Sequence, residues 1–263
     1  MGGVEDMVPS GGDSACWLDQ VCPECGALPE GHDPTAPCWR CGTVRDTPPS
    51  ASPAAETQVL LTGFEPFAGA ATNASWEAVQ LAVPALGEAG VAARQLLLPV
   101  EFGRAGDEIV RAVRELRPRI VIAVGLAAGR RAVTPERVAV NVQDARIPDN
   151  AGRSPVDEPC AAGGPVGYWS SLPIKAMVAA AEREDVPAAV SQSAGTFVCN
   201  DVFYRLQHAL ATDLELAGTR GGFVHVPSEA DLAPDAASRA LVTMARTALT
   251  TEQDLVRSGG ATH

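Results

Sequence analysis

No apolar run in the chain approaches the roughly twenty residues that a membrane-spanning helix requires, so no membrane partner is expected. Residues 1–14 are acidic and glycine-rich and lack the basic n-region and apolar h-region of a secretory signal, so the expected compartment is the cytoplasm. Positive charge is scarce: 20 Lys and Arg stand against 32 Asp and Glu, a formal net charge of −12. Binding to a phosphate backbone depends on clustered cations, so no nucleic-acid partner is expected either. Seven cysteines are too few and too clustered for a disulfide scaffold, and in a cytoplasmic protein they point to metal binding or catalysis. Histidine is rarer still, at four. What is abundant is apolar surface: 46% hydrophobic residues in a chain of 263 suffice for one large domain, or for one domain with a small added module.

The added module is legible near the N-terminus. Cys22-Pro23-Glu24-Cys25 and Cys38-Trp39-Arg40-Cys41 are two Cys-x-x-Cys knuckles, each followed by a glycine (Gly26, Gly42) that permits a tight turn. Two such knuckles close a tetrahedral four-thiolate site with no open position for substrate, so a structural zinc held by Cys22, Cys25, Cys38 and Cys41 is expected; rubredoxin-like iron is the competing ion. A segment this short has little core of its own, and the metal would hold it together. Trp39 is expected to cover the metal, and Cys16 falls outside the spacing. The module is read as zinc-ribbon-like over residues 1–45, followed by a Pro-, Ala- and Ser-rich linker over 46–58. Up to Gln58 the chain carries nine acidic residues against two arginines, so a protein contact suits the module better than a nucleic acid.

From residue 59 to 263 short apolar runs alternate with helical patterns. Strands are expected at 59–62, 95–100, 120–124, 138–142, 188–191 and 223–226, and helices at 76–86, 103–116, 174–183, 200–210 and 236–249. The fold class is α/β: an open, mostly parallel sheet with helices on both faces. Functional groups in such sheets gather at the carboxyl ends of the strands.

One thiol sits at such a position. In Ser193-Ala194-Gly195-Thr196-Phe197-Val198-Cys199-Asn200 a glycine turn delivers Cys199 from an apolar run to the start of a helix. The exposed N–H groups and dipole of a helix N-terminus favour a thiolate, so a depressed Cys199 pKa is expected. A nucleophile needs a base within reach. His32 belongs to the metal module, His263 is the last residue, and His208 stands about 13 Å along the helix axis from Cys199. His225, in the strand Gly221-Gly222-Phe223-Val224-His225-Val226 before Pro227, is what remains. A third group should orient the imidazole, and Glu136, Asp144 and Asp149 are the candidates within residues 133–150.

The runs Thr134-Pro135-Glu136-Arg137-Val138-Ala139, Asp144-Ala145-Arg146-Ile147-Pro148-Asp149-Asn150 and Ser193 to Asn200, with segments 61–75, 172–177 and 223–227, occur in an order that resembles the pyroglutamyl peptidase I family. The resemblance spans nearly everything after the linker. It implies Cys199 as nucleophile, His225 as base, Glu136 as the further site residue, and Arg146 at the oxyanion. It also implies a pocket for an N-terminal 5-oxoproline formed by Phe64, Phe67, Asn73, Leu126, Phe197 and Val198. No cofactor is implied for catalysis, and a homo-oligomer is implied for assembly.

Two departures bear on the substrate. Pro66-Phe67-Ala68-Gly69 stands where the family pattern reads Pro-Phe-Gly-Gly, and Leu126 replaces a glutamine in the run Gly125 to Arg130. Leu126 and the added module leave room for a thiol-dependent hydrolase or acyl transferase acting on another lactam or amide, such as a biosynthetic intermediate presented by a partner docked on the module. A non-catalytic zinc-ribbon interaction protein is the third reading; retention of cysteine, histidine and glutamate together weighs against it.

Overall fold

Residues 59–64, Val-Leu-Leu-Thr-Gly-Phe, are buried at every position in the computed structural model, as a strand covered on both faces must be. The structure describes residues 27, 38–43 and 57–260. The chain divides into two units, Met1–Ala55 and Glu56–His263.

In the larger unit β1 (Val59–Phe64) leads through α1 (Ala74–Glu88) to β2 (Ala93–Leu98), then α2 (Arg104–Leu116) and β3 (Ile120–Leu126). Short strands β4 (Thr134–Pro135), β5 (Val138–Val140) and β6 (Gly167–Trp169) precede α3 (Ile174–Arg183) and α4 (Val198–Thr212). The chain closes with β7 (Arg220–Val226) and α5 (Pro234–Thr250). The main sheet runs β2-β1-β3-β7-β4, parallel except for β4, which pairs antiparallel with β7. Alternate residues of each strand face opposite layers. Leu61, Ile122 and Val224 pack against α1, α3 and α5, whereas Leu60, Val121, Ala123 and Phe223 pack against α2 and α4. The α/β expectation, with helices on both faces, therefore holds for this unit.

Two expected strands are corrected. Residues 138–142 do not join the main sheet; 138–140 pair with the unanticipated β6 in a separate antiparallel ribbon. Residues 188–191 form only isolated bridges, Val133 to Ala188 and Glu136 to Ser191. Proline explains the interruption. The N–H of Val133 donates to Pro187 O, that of Ala189 to Val133 O, that of Ser191 to Pro135 O and that of Arg137 to Ser191 O. Pro135 has no N–H to continue this parallel ladder.

In the smaller unit, residues 38–43 form a tight turn. Gly42 N–H donates to Cys38 O at 2.8 Å, Cys38 N–H donates to Thr43 O at 2.9 Å, and Gly42 takes a left-handed φ of 73°. Trp39 is 58% exposed. Cys22 and Cys25 lie outside the described residues, and among the described residues no group of three metal-ligating side chains comes together.

Candidate active site

The register of β3, β7 and β4 assembles the site. His225 is the partner of Gly125 on one side and of Thr134 on the other. Glu136 lies two residues beyond Thr134, so its side chain shares the α4 face of the sheet with His225. Its N–H donates to Phe223 O at 2.8 Å, which continues the pairing with β7. The result is a contact of 2.7 Å between His225 Nδ1 and Glu136 Oε1, with both side chains buried. A carboxylate can only accept here, so Nδ1 carries the proton and Nε2 is left as an acceptor, the tautomer a general base needs.

Cys199 comes to this face from the first turn of α4. A Cβ added at Gly125 would lie 2.9 Å from Cys199 Sγ and 2.8 Å from Phe223 Cζ, so the sulfur occupies the space a side chain there would take. Gly125 is beside His225 in the sheet, and the thiol is thereby set against the neighbouring strand position. Gly195, with φ of 78°, makes the turn before the helix. The rest of that loop is tied down: Thr196 Oγ1 donates to Asp144 O at 2.7 Å, and Asp144 N–H donates back to Thr196 O at 3.0 Å.

Residues next to the thiol fix the helix to the 140s loop. Asn200 Oδ1 accepts from Val140 N–H at 3.0 Å, while its Nδ2 donates to the carbonyls of Val140 and Val142. Asp201, fully buried, accepts from Gln143 Nε2, Arg205 Nε and Gly103 N–H. Phe197 O takes the N–H groups of Asn200 and Asp201, whereas those of Val198 and Cys199 have no backbone acceptor among the described residues. A helix N-terminus of this kind offers donors to a developing oxyanion.

Electrostatics correct one expectation. The Cys199 thiol is pushed up to about 12, not down: burial is the largest cause and the Glu136 carboxylate adds to it, outweighing Arg130 and the thiol's own backbone N–H. Burial also holds His225 below its ordinary 6.5, against the opposing pull of Glu136. At neutral pH the resting pair is a thiol and a neutral imidazole.

Of the three candidate orienters, only Glu136 meets His225. Asp149 is buried on another task, accepting from the N–H groups of Phe102, Ala151 and Arg153. Asp144 is exposed and engages Thr196 through its backbone. Arg146 is exposed and makes no side-chain hydrogen bond to the described residues. The arginine that reaches Glu136 is Arg130, whose Nη1 donates to Glu136 Oε1 at 2.7 Å and to Thr134 Oγ1 at 2.6 Å, with Nη2 on Ser193 O at 3.1 Å. Sequence reasoning missed it. The available signal was a charged residue closing a glycine-containing run at the carboxyl end of β3.

The expected pocket residues divide. Phe67 and Phe197 are half-buried with ring centroids 5.3 Å apart, and Phe102, not anticipated, packs edge-on against Phe197 at 5.1 Å. Phe64 is buried in the core, 6.3 Å from Phe223, and Val198 is buried beside it in the α2/α4 layer. Leu126 packs on the opposite layer. Asn73 caps α1: its Oδ1 accepts from the N–H and hydroxyl of Ser75, and its Nδ2 donates to Glu65 O. A separate cleft of about 640 Å³ between α2 and α4 is lined by residues including Asp107, Arg111, Arg205 and His208 and touches none of the site residues.

Comparison with known proteins places this geometry. The sequence profile described as pyroglutamyl peptidase matches residues 57–250. The pyrrolidone-carboxylate peptidase of Cupriavidus pinatubonensis is 52% identical over 216 residues, covering 78% of this chain and 99% of the relative. That of Streptomyces coelicolor is 48% identical over 218 residues, covering 79% and 100%. Among solved structures, pyroglutamyl peptidase I from Bacillus amyloliquefaciens superposes with a TM-score of 0.72 at 40% identity, covering 77% of this chain and all of that one. A pyrrolidone carboxyl peptidase variant from Pyrococcus furiosus gives a TM-score of 0.66 at 36% identity, covering 73% and 98%. No helix among the described residues is long and apolar enough to cross a membrane. With the profile spanning most of the chain and relatives matched over nearly their whole length, this chain belongs to the pyroglutamyl peptidase family, cysteine-type hydrolases.

Proposed function

We propose that this protein removes an N-terminal pyroglutamyl residue from peptides through a thioester on Cys199. The observation that carries the reading is the buried 2.7 Å contact between His225 and Glu136 beside the thiol at the head of α4, in a chain whose relatives are named for this activity. Because the resting thiol is protonated, attack and proton transfer go together. His225 Nε2 takes the Cys199 proton as the sulfur adds to the pyroglutamyl carbonyl, and Glu136 stabilises the imidazolium that forms. The Cys199 N–H and Arg146 are assigned to the oxyanion; Arg146, exposed in the free protein, would act on it once substrate is bound. His225 then returns its proton to the leaving amine and activates water to release the acyl group.

The neutral lactam is assigned to a site between Phe67 and Phe197, with Phe64 and Val198 in the same layer behind them; Asn73, which caps α1, and Leu126, which packs on the opposite layer, are left out of it. An apolar wall with few polar groups suits a flat uncharged ring. Leu126 favours a second reading in which the acyl group is another lactam or amide, because a missing side-chain amide changes discrimination where a buried hydrogen bond to substrate is at stake. A panel of amides bearing pyroglutamyl, prolyl and glutaminyl groups separates the two. Turnover of the pyroglutamyl member alone is expected; turnover of another member instead, with Cys199 required, favours the second.

Zinc on Cys22, Cys25, Cys38 and Cys41 remains our assignment for the N-terminal segment. The Cys38–Cys41 turn with left-handed Gly42 has the form of a knuckle and fits such an ion, which would supply structure and no catalytic step. We also assign the protein to the cytoplasm as a homo-oligomer, with the acidic module available to a protein partner.

A further inference from the structure

We propose that Arg130 is a positioning residue of this site: its guanidinium locks the Glu136 carboxylate against the His225 imidazole and ties that pair to the loop leading to Cys199. The inference rests on the cysteine-peptidase reading above.

Three contacts carry it. Nη1 bonds both Thr134 Oγ1 and Glu136 Oε1, and Nη2 bonds Ser193 O on the loop that leads to Cys199. One side chain thus joins the end of β3, the carboxylate and the nucleophile loop. The same Glu136 Oε1 accepts the hydrogen bond from His225 Nδ1–H, while Oε2 is buried with no partner among the described residues. A carboxylate so poorly satisfied and fully buried needs a compensating charge. If Arg130 is removed, the nearest source is a proton captured on His225, which turns the base into an imidazolium before substrate arrives.

The surrounding groups make this reading specific. Two charges act on both Cys199 and His225: Glu136, from the segment between β4 and β5, and Arg130, from the loop after β3. On α4, Asp201 is turned to Gln143, Arg205 and Gly103. Asp144 and Arg146, on the 140s loop, are exposed and make no side-chain hydrogen bond to either group. Glu136 raises both Cys199 and His225, and Arg130 lowers both. Loss of Arg130 should therefore move both titrations to higher pH.

The test compares full-length wild type with Arg130→Met, Arg130→Gln and Arg130→Lys. Two quantities are read: the pH dependence of kcat/KM on a pyroglutamyl amide, and the rate of iodoacetamide modification of Cys199, followed by mass spectrometry of its peptide. In Arg130→Met the ascending limb of kcat/KM is expected at higher pH, with kcat/KM at pH 7 down by about 10²-fold and Cys199 alkylated more slowly. Arg130→Lys should restore the limb while recovering only part of the rate. If Arg130→Met does not fold, Arg130→Gln, which keeps a donor for Glu136 without the charge, is read by the same limb. A limb unmoved in the neutral variants, whatever the rate, overturns the inference. Absence of turnover in the wild type defeats the substrate reading alone, since alkylation still reports the effect of Arg130; an unchanged alkylation rate in the neutral variants then overturns it.

Discussion

His225 and Glu136 meet at 2.7 Å across the β7–β4 pairing, with no more than 5% of either side chain exposed. The contact fixes which nitrogen of the imidazole can accept a proton. Replacing Glu136 with Gln offers Nδ1 an amide that can present a donor or an acceptor, and the tautomer is no longer enforced. Glu136→Gln should lower kcat by roughly 10²- to 10⁴-fold with a much smaller change in KM. Steady-state kinetics on a pyroglutamyl amide check it; a kcat within a few-fold of wild type contradicts the orienting role.

Gly125 sets the room for the sulfur. Gly125→Ala puts a methyl group 2.9 Å from Cys199 Sγ and 2.8 Å from Phe223 Cζ, in a part of the core with no slack. Overpacking of this kind costs about 1–3 kcal/mol. The variant should melt several degrees lower and lose most of its activity. A melting curve and a rate both equal to wild type would show that the loop before α4 yields easily.

His225 also ties stability to pH. Its folded pKa lies below the unfolded value of 6.5, so the unfolded chain binds the extra proton first. The stability associated with the neutral imidazole is fully present above pH 6.5 and is lost as pH falls below that value toward the depressed folded pKa. Denaturant titrations of wild type and His225→Gln between pH 7.5 and about 5 should show a steeper decline in the wild type. Parallel declines would assign the acid sensitivity to carboxylates elsewhere.

Asn200 holds the 140s loop against the nucleophile helix through bonds to Val140 and Val142. Asn200→Ala leaves the part-buried Val140 N–H without its acceptor, a penalty of about 1–3 kcal/mol, and removes one of the donors to each of the Val140 and Val142 carbonyls, which keep the Val142 N–H and the Cys160 thiol. Global stability and kcat should fall together. Loss of kcat without loss of stability would instead place Asn200 in direct contact with substrate.

The metal assignment has its own outcome. Purified full-length protein should contain about one zinc per chain, and removal of residues 1–55 should abolish that content while leaving a folded, active enzyme. Metal-free full-length protein contradicts the assignment.

Most of the main sheet was legible because its strands are continuous apolar runs such as Ile120 to Val124, which the layers cover on both sides. Cys199 and His225 were proposed from glycine, helix onset and the scarcity of histidine, and the fold sets them at neighbouring positions through Gly125. Glu136 was not separable from Asp144 and Asp149 without the family resemblance, because its role depends on an antiparallel pair, β4 with β7, only two residues long. Arg130 was hidden for a related reason: its three acceptors come from positions 134, 136 and 193, and only the fold brings them to one guanidinium. The thiol titration was misread from local position alone, since the helix terminus is opposed by burial and by a carboxylate remote in sequence.

The central claim is tested most directly by mixing wild type and Cys199→Ala with a fluorogenic pyroglutamyl amide, while following both product and protein mass. The account expects fluorophore release by the wild type, a transient pyroglutamyl adduct on the Cys199 peptide, and neither in the variant. Equal release by Cys199→Ala, or turnover with the adduct on another residue, would contradict it.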